Sequence, residues 1–157
     1  MKLGIDVGRV LISPGESRKP DTSFIGGSLE AALDTPPYDD MFDVVPALVE
    51  RFGGAVWIVS KCGPRIQERT LRWFGHHRFF ERTGIRPDRV RFCLQRPEKA
   101  VHCRELGITH FIDDRVDVLE PMAGIVPLRY LFGPQRGRVP DGMRHVPTWR
   151  DALAAVG

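Results

Sequence analysis

Apolar positions along the chain fall in short runs separated by stretches of helical period. Lys2–Val7 reads as a first β-strand, and Ala55–Val59 (AVWIV) is continuously apolar, as a strand buried on both faces requires. Arg89–Leu94, Thr109–Ile112 and Ile125–Leu131 supply three further strands. Between the first two, Val44, Val45, Leu48, Val49 and Phe52 recur at helical spacing. Asp39 or Asp40 can cap that helix, and Gly53 stands just past its end. Pro64 opens a helix with Ile66, Thr70, Trp73 and Phe74 on one stripe. Pro97 opens another, with Ala100, Cys103 and Leu106 inward and Gly107 ending it, and Pro147–Val156 reads as a closing helix. Strands alternating with helices predict an α/β fold, a Rossmann-like three-layer α/β/α arrangement around a mostly parallel five-stranded sheet. The 157 residues suit one domain, 1–157. The connection from Leu11 to about Asp39 is broken by Pro14, Gly15, Pro20, Gly26-Gly27 and Pro36-Pro37, with a helical turn or two at Leu29–Leu33.

Composition narrows the class. No apolar run approaches the ~18–20 residues of a membrane span, and Asp6 interrupts the apolar region a signal peptide needs. Cys62, Cys93 and Cys103 are too few and too scattered for a disulfide framework or a zinc cluster, so a reduced, cytoplasmic protein is expected. Charge is unevenly spread: residues 28–50 carry six acids and no base, whereas residues 63–104 carry eleven bases against four acids. That basic band could attract a phosphorylated ligand or a nucleic-acid end, though a solvated arginine-rich helix face is the plainer reading. Only four of the 23 bases are lysines, so each lysine merits individual placement.

Ligands of open α/β sheets bind beyond the carboxyl ends of the strands. The first strand ends at Asp6, the second at Ser60 and the fourth at Asp113-Asp114, and Lys99 opens the helix before that fourth strand. Asp6 can serve as a nucleophilic carboxylate or simply cap a turn. Ser60 can donate to a phosphoryl oxygen or end a strand. Lys99 can face such a site or pair with Glu98. Asp113 and Asp114 repel each other unless a cation or base stands between them, and Asp117 adds a third acid one helical turn on. Carboxylates without a neighbouring His or Cys pair suit a hard cation, and Mg²⁺ is the usual one beside phosphate.

Together these residues carry a resemblance. Gly4-Ile5-Asp6-Val7-Gly8-Arg9-Val10-Leu11, then Ser60, then Lys99, then Phe111-Ile112-Asp113-Asp114-Arg115 resemble, in order and placement, the four motifs of the haloacid dehalogenase superfamily. The resemblance covers roughly residues 2–132. It implies a Mg²⁺-dependent phosphomonoester hydrolase that forms an aspartyl-phosphate on Asp6. It also implies that Asp6, the main-chain carbonyl of Gly8 and Asp113 hold the metal, with Asp114 acting through water. Ser60 and Lys99 would hold the phosphoryl oxygens, with Lys61 a further contact for substrate.

One position departs from the pattern. The first motif normally carries a second Asp, which protonates the leaving oxygen and then activates water, and Gly8 has no side chain to do either. General acid–base help is typically worth ~10²–10⁴-fold. Glu16 and Asp21 in the 12–40 connection are candidate substitutes. That connection has room for a flap or minimal cap, and the Ser60–Lys99 interval only for a helix, a turn and a strand. A nearly capless site suits a large substrate, a nucleotide or another phosphorylated molecule. The contrasting expectation is a catalytically silent domain of the same fold that binds a phosphorylated ligand or a protein partner.

Overall fold

In the computed structural model, which describes residues 1–14 and 25–156, the first strand, β1 (Leu3–Ile5), stands at the middle of the sheet. It is followed by α1 (Leu29–Leu33), α2 (Met41–Arg51), β2 (Val56–Lys61), α3 (Pro64–His76), α4 (Phe79–Thr83), β3 (Val90–Cys93) and α5 (Glu98–Leu106). The second half supplies β4 (His110–Asp113), α6 (Val116–Leu119), β5 (Leu128–Phe132), β6 (Met143–Val146) and α7 (Trp149–Val156). The sheet order is β3-β2-β1-β4-β5-β6, and every neighbouring pair is parallel. The chain adds β2 and β3 on one side of β1 and then returns to lay β4 on the other. The order therefore reverses between β1 and β4, the point where such sheets open a crevice.

Alternation along the strands sorts side chains onto two layers. Ile58, Ile112, Tyr130 and Phe132 join Val45 and Leu48 of α2, Trp73 and Phe74 of α3, Phe79 of α4 and Trp149 of α7 in the larger core. Val59, Phe111 and Leu131 point the other way, onto Ala100 and Cys103 of α5, Val118 and Leu119 of α6, and Met122. The three-layer reading thus holds. Gly4, buried in β1, leaves room for the Phe111 ring: a Cβ on Gly4 would lie 2.5 Å from Phe111 Cδ2.

Three details differ from the sequence expectation. The sheet has six strands rather than five, and all are parallel. The extra one, β6, is a short edge strand whose Arg144 and His145 are exposed, so it lacks the apolar run that marks the others. Asp40 does occupy the N-cap position of α2, but with φ 65° and no side-chain cap bond. Its carboxylate instead faces Arg150 of α7 at 3.5 Å, and Asp43 faces the same guanidinium at 3.4 Å, so the acidic segment ties two helices together. The Leu29–Leu33 turns form as α1, capped by the Ser28 hydroxyl, which accepts from the Ala31 N–H. Arg69 of α3 anchors the approach to α1 by donating to the Gly27 carbonyl at 2.8 Å. Glu16 and Asp21 lie outside the described residues.

Candidate active site

The strands on either side of the reversal end in carboxylates. Asp6 directly follows β1, and its N–H donates to the Ile112 carbonyl of β4 at 3.1 Å, so the two strand ends are held side by side. Asp113 is the last residue of β4 and Asp114 the next in the chain. Beyond Asp6 the backbone turns back tightly: the Val7 carbonyl accepts from the N–H groups of Val10, Leu11 and Ile12, and Arg9 takes a φ of 61°. Gly8 forms a bridge with Ile12, which fixes the loop across the mouth of β1. The α7 side chain of Trp149 donates its indole N–H to the Val10 carbonyl at 2.8 Å and braces that loop from the core.

Lys99, in the first turn of α5, is 3% exposed and reaches both carboxylates. Its ammonium donates to Asp6 Oδ1 at 2.7 Å and to Asp113 Oδ2 at 2.9 Å. The Glu98 carboxylate accepts instead from the Gln95 N–H at 2.8 Å, so the alternative Glu98–Lys99 pairing is not the one formed. Burial opposes the charge on Lys99, but Asp113 and Asp6 outweigh it and hold the ammonium well above the usual lysine range. Asp113 is fully buried, and its other oxygen accepts from the Arg115 N–H at 3.0 Å. Burial and the Asp6 carboxylate push Asp113 up against the opposing pull of Lys99 and Arg115. Asp114 is pushed up by burial, then by Asp6 and Asp113.

One carboxylate oxygen from each of Asp6, Asp113 and Asp114 lies within 4.8 Å of the others. Three carboxyl groups thus converge on one poorly solvated space beside a single bonded ammonium, an oxygen-rich arrangement that a cation can complement. The donor set is hard oxygen only. Cys62, which lines the same cavity, has its thiol pushed up to about 11, chiefly by burial, and stays protonated rather than offering a thiolate. The triad could therefore hold a metal ion.

Asp6, Gly8, Ser60, Lys61, Lys99 and Asp114 all face one cavity of about 50 Å³. Ser60 is not beyond its strand but inside it: β2 runs on to Lys61 because Ser60 and Lys61 pair with Phe92 and Cys93 of β3. The residues that carry the four motifs are thus brought to this place, with Asp113 beneath the floor. Asp117 is not. It is exposed and accepts from Arg115 at 2.9 and 2.8 Å, which lowers its carboxyl below the usual range. Arg9, Arg96 and Arg115 also line the cavity and were not singled out from sequence. Two of them flank recognised positions, Arg9 after Gly8 and Arg115 after Asp114; Arg96 is brought in only by the turn before α5. A comparison with family models found no match, and a comparison with curated proteins found none.

Proposed function

We propose that this chain is a haloacid-dehalogenase-like, Mg²⁺-dependent phosphomonoester hydrolase that works through an aspartyl-phosphate on Asp6. The observation that carries the reading is Lys99 bridging Asp6 and Asp113 at 2.7 and 2.9 Å beside Ser60, at the reversal point of a parallel sheet. A lysine bonded to the nucleophile orients it and offers positive charge to phosphoryl oxygens. Asp6, Asp113 and Asp114, with the Gly8 carbonyl, are the groups that would hold Mg²⁺, which supplies charge neutralisation between carboxylate and phosphate. An Asp6 oxygen bonds to phosphorus as the ester P–O bond breaks and the leaving oxygen departs with the electron pair. Ser60 and Lys99 donate to the transferring oxygens. Water then attacks phosphorus, the bond to Asp6 breaks, and inorganic phosphate leaves with the carboxylate restored.

Gly8 favours a second reading, a silent domain that binds a phosphorylated ligand, because no side chain there can protonate a leaving group. Beryllium fluoride separates the two. With Mg²⁺, the parent protein should take up beryllium fluoride at Asp6 and release phosphate from aryl phosphates, and Asp6→Asn should do neither. Equal turnover by Asp6→Asn, or no uptake and no turnover by the parent, removes the aspartyl-phosphate mechanism.

A further inference from the structure

A second and larger cavity, of about 600 Å³, opens directly beside the catalytic one. Its walls come from the loop after β1, the entry to α2, the turn after β4 and the segment after β5. Arg9, Asp114 and Arg115 line both cavities, so the two share a wall, and Tyr38, Phe132 and Arg136 belong to the larger one alone. The volume lies in the range that holds a small organic ligand, and the catalytic cavity is too small for more than a phosphoryl group.

The chemistry of the walls is specific. Three guanidinium groups face the cleft against one carboxyl group, Asp114. Arg115 has part of its charge offset by Asp117, while Arg136 is exposed. Tyr38, half-buried and backed edge to face by the fully buried Phe132 ring with centroids 4.9 Å apart, supplies an aromatic side to the same space. Gly133 bends the chain there at a φ of 81°, and the Gln135 amide donates to the Asp114 and Phe132 carbonyls at 3.0 Å each. These bonds pin the segment that carries Arg136 to the metal-side turn. An aromatic wall facing arginines selects a flat group that bears negative charge.

We infer that the leaving group of the substrate occupies this cleft, and that it is a flat ring carrying a second anionic group, phosphate or carboxylate. The inference rests on the phosphatase reading for the direction in which substrate lies. It adds what that reading leaves open, the class of the leaving group. The second anion meets Arg136 and Arg9, and the ring lies along Tyr38.

A matched series tests it: phenyl phosphate, 4-carboxyphenyl phosphate and phenylene 1,4-bisphosphate, each assayed for phosphate release with Mg²⁺. The expected result is a kcat/KM at least ten-fold higher for one or both charged compounds than for phenyl phosphate. Which of the two is preferred identifies phosphate or carboxylate as the second group. Arg136→Glu should erase that advantage, and Tyr38→Ala should lower all ring substrates while beryllium fluoride uptake persists. Equal kcat/KM across the series in the parent, or an advantage that survives Arg136→Glu, overturns the inference while leaving the phosphatase standing. If none of the three is hydrolysed, the phosphatase reading fails, and calorimetric affinities of the same compounds decide the cleft by themselves. Tighter binding of the charged pair, lost in Arg136→Glu, upholds it, and equal affinities overturn it.

Discussion

Lys99 is a single ammonium asked to neutralise a buried acidic cluster, and its removal should be felt in stability as well as chemistry. Removing one partner of a buried ion pair costs about 3–5 kcal/mol, because the remaining charge is left desolvated. Lys99→Met keeps the length of the side chain and takes away the charge, so its melting temperature should fall sharply without divalent cation. Millimolar Mg²⁺ should restore part of the loss, since a cation among Asp6, Asp113 and Asp114 replaces the missing charge; a melting temperature indifferent to Mg²⁺ would show that no cation enters the triad. At Gly8 the expectation concerns rate. Aryl phosphates, whose leaving oxygen needs no proton, should be hydrolysed far faster than alkyl ones, and Gly8→Asp should raise the alkyl rate by ~10²-fold or more. Comparable aryl and alkyl rates in the parent would show that another group delivers the proton. At this scale the sequence was informative about the acids, because strand ends announce themselves by an apolar run followed by a polar residue, and about Lys99, because Pro97 marks the start of its helix. It was uninformative about Arg96 and Arg136, which reach the site through turns whose geometry leaves no periodic trace.

Among the elements, β1 is the least tolerant of added bulk. A Cβ on Gly4 would meet Phe111 Cδ2 at 2.5 Å, and both residues sit in adjacent, fully buried strands. Overpacking of this kind costs about 1–3 kcal/mol. Gly4→Ala should lower the urea midpoint, and combining it with Phe111→Leu should cost less than the two changes summed, because the smaller side chain vacates the contested space. Strict additivity of the two would mean that β1 shifts instead of clashing. The buried strands β1, β2 and β4 and the helices α3 and α5 were legible because their periodicity is strong and prolines mark where the helices begin. β6 was not, since an edge strand with one buried side chain satisfies its backbone by pairing and asks little of its sequence. The extension of β2 through Ser60 and Lys61 was hidden for a similar reason: it is a partner strand, not apolarity, that keeps those residues extended.

For the molecule as a whole, acid stability is set partly by two histidines held neutral. Burial lowers the pKa of His77, against the pull of its bond to the Leu33 carbonyl at 2.8 Å, and burial lowers that of His110. The folded state therefore binds fewer protons than the unfolded chain once pH drops below the ordinary histidine value of ~6.5. Their stabilising effect is full above that value and is lost as pH falls toward the folded pKa. Asp113 and Asp114, being raised, act in the opposite sense: the folded state holds their protons, so their contribution is greatest at low pH and fades as pH rises. A comparison with a variant isolates the histidine part. His110→Phe, which keeps a ring between Phe52 and Tyr130, should lose less melting temperature between pH 7 and pH 5 than the parent does. An equal loss in both would place the acid sensitivity elsewhere.

The indole of Trp149 closes on the Val10 carbonyl across 139 residues of chain. The loop that carries Asp6 and Gly8 is made well before the side chain that braces it. The same holds for β4, which reaches β1 only after β2 and β3 have been made. With α7 removed, the acids would stand beside an unbraced loop, so the shape of the pocket at Asp6 and Gly8 depends on a helix distant in the chain.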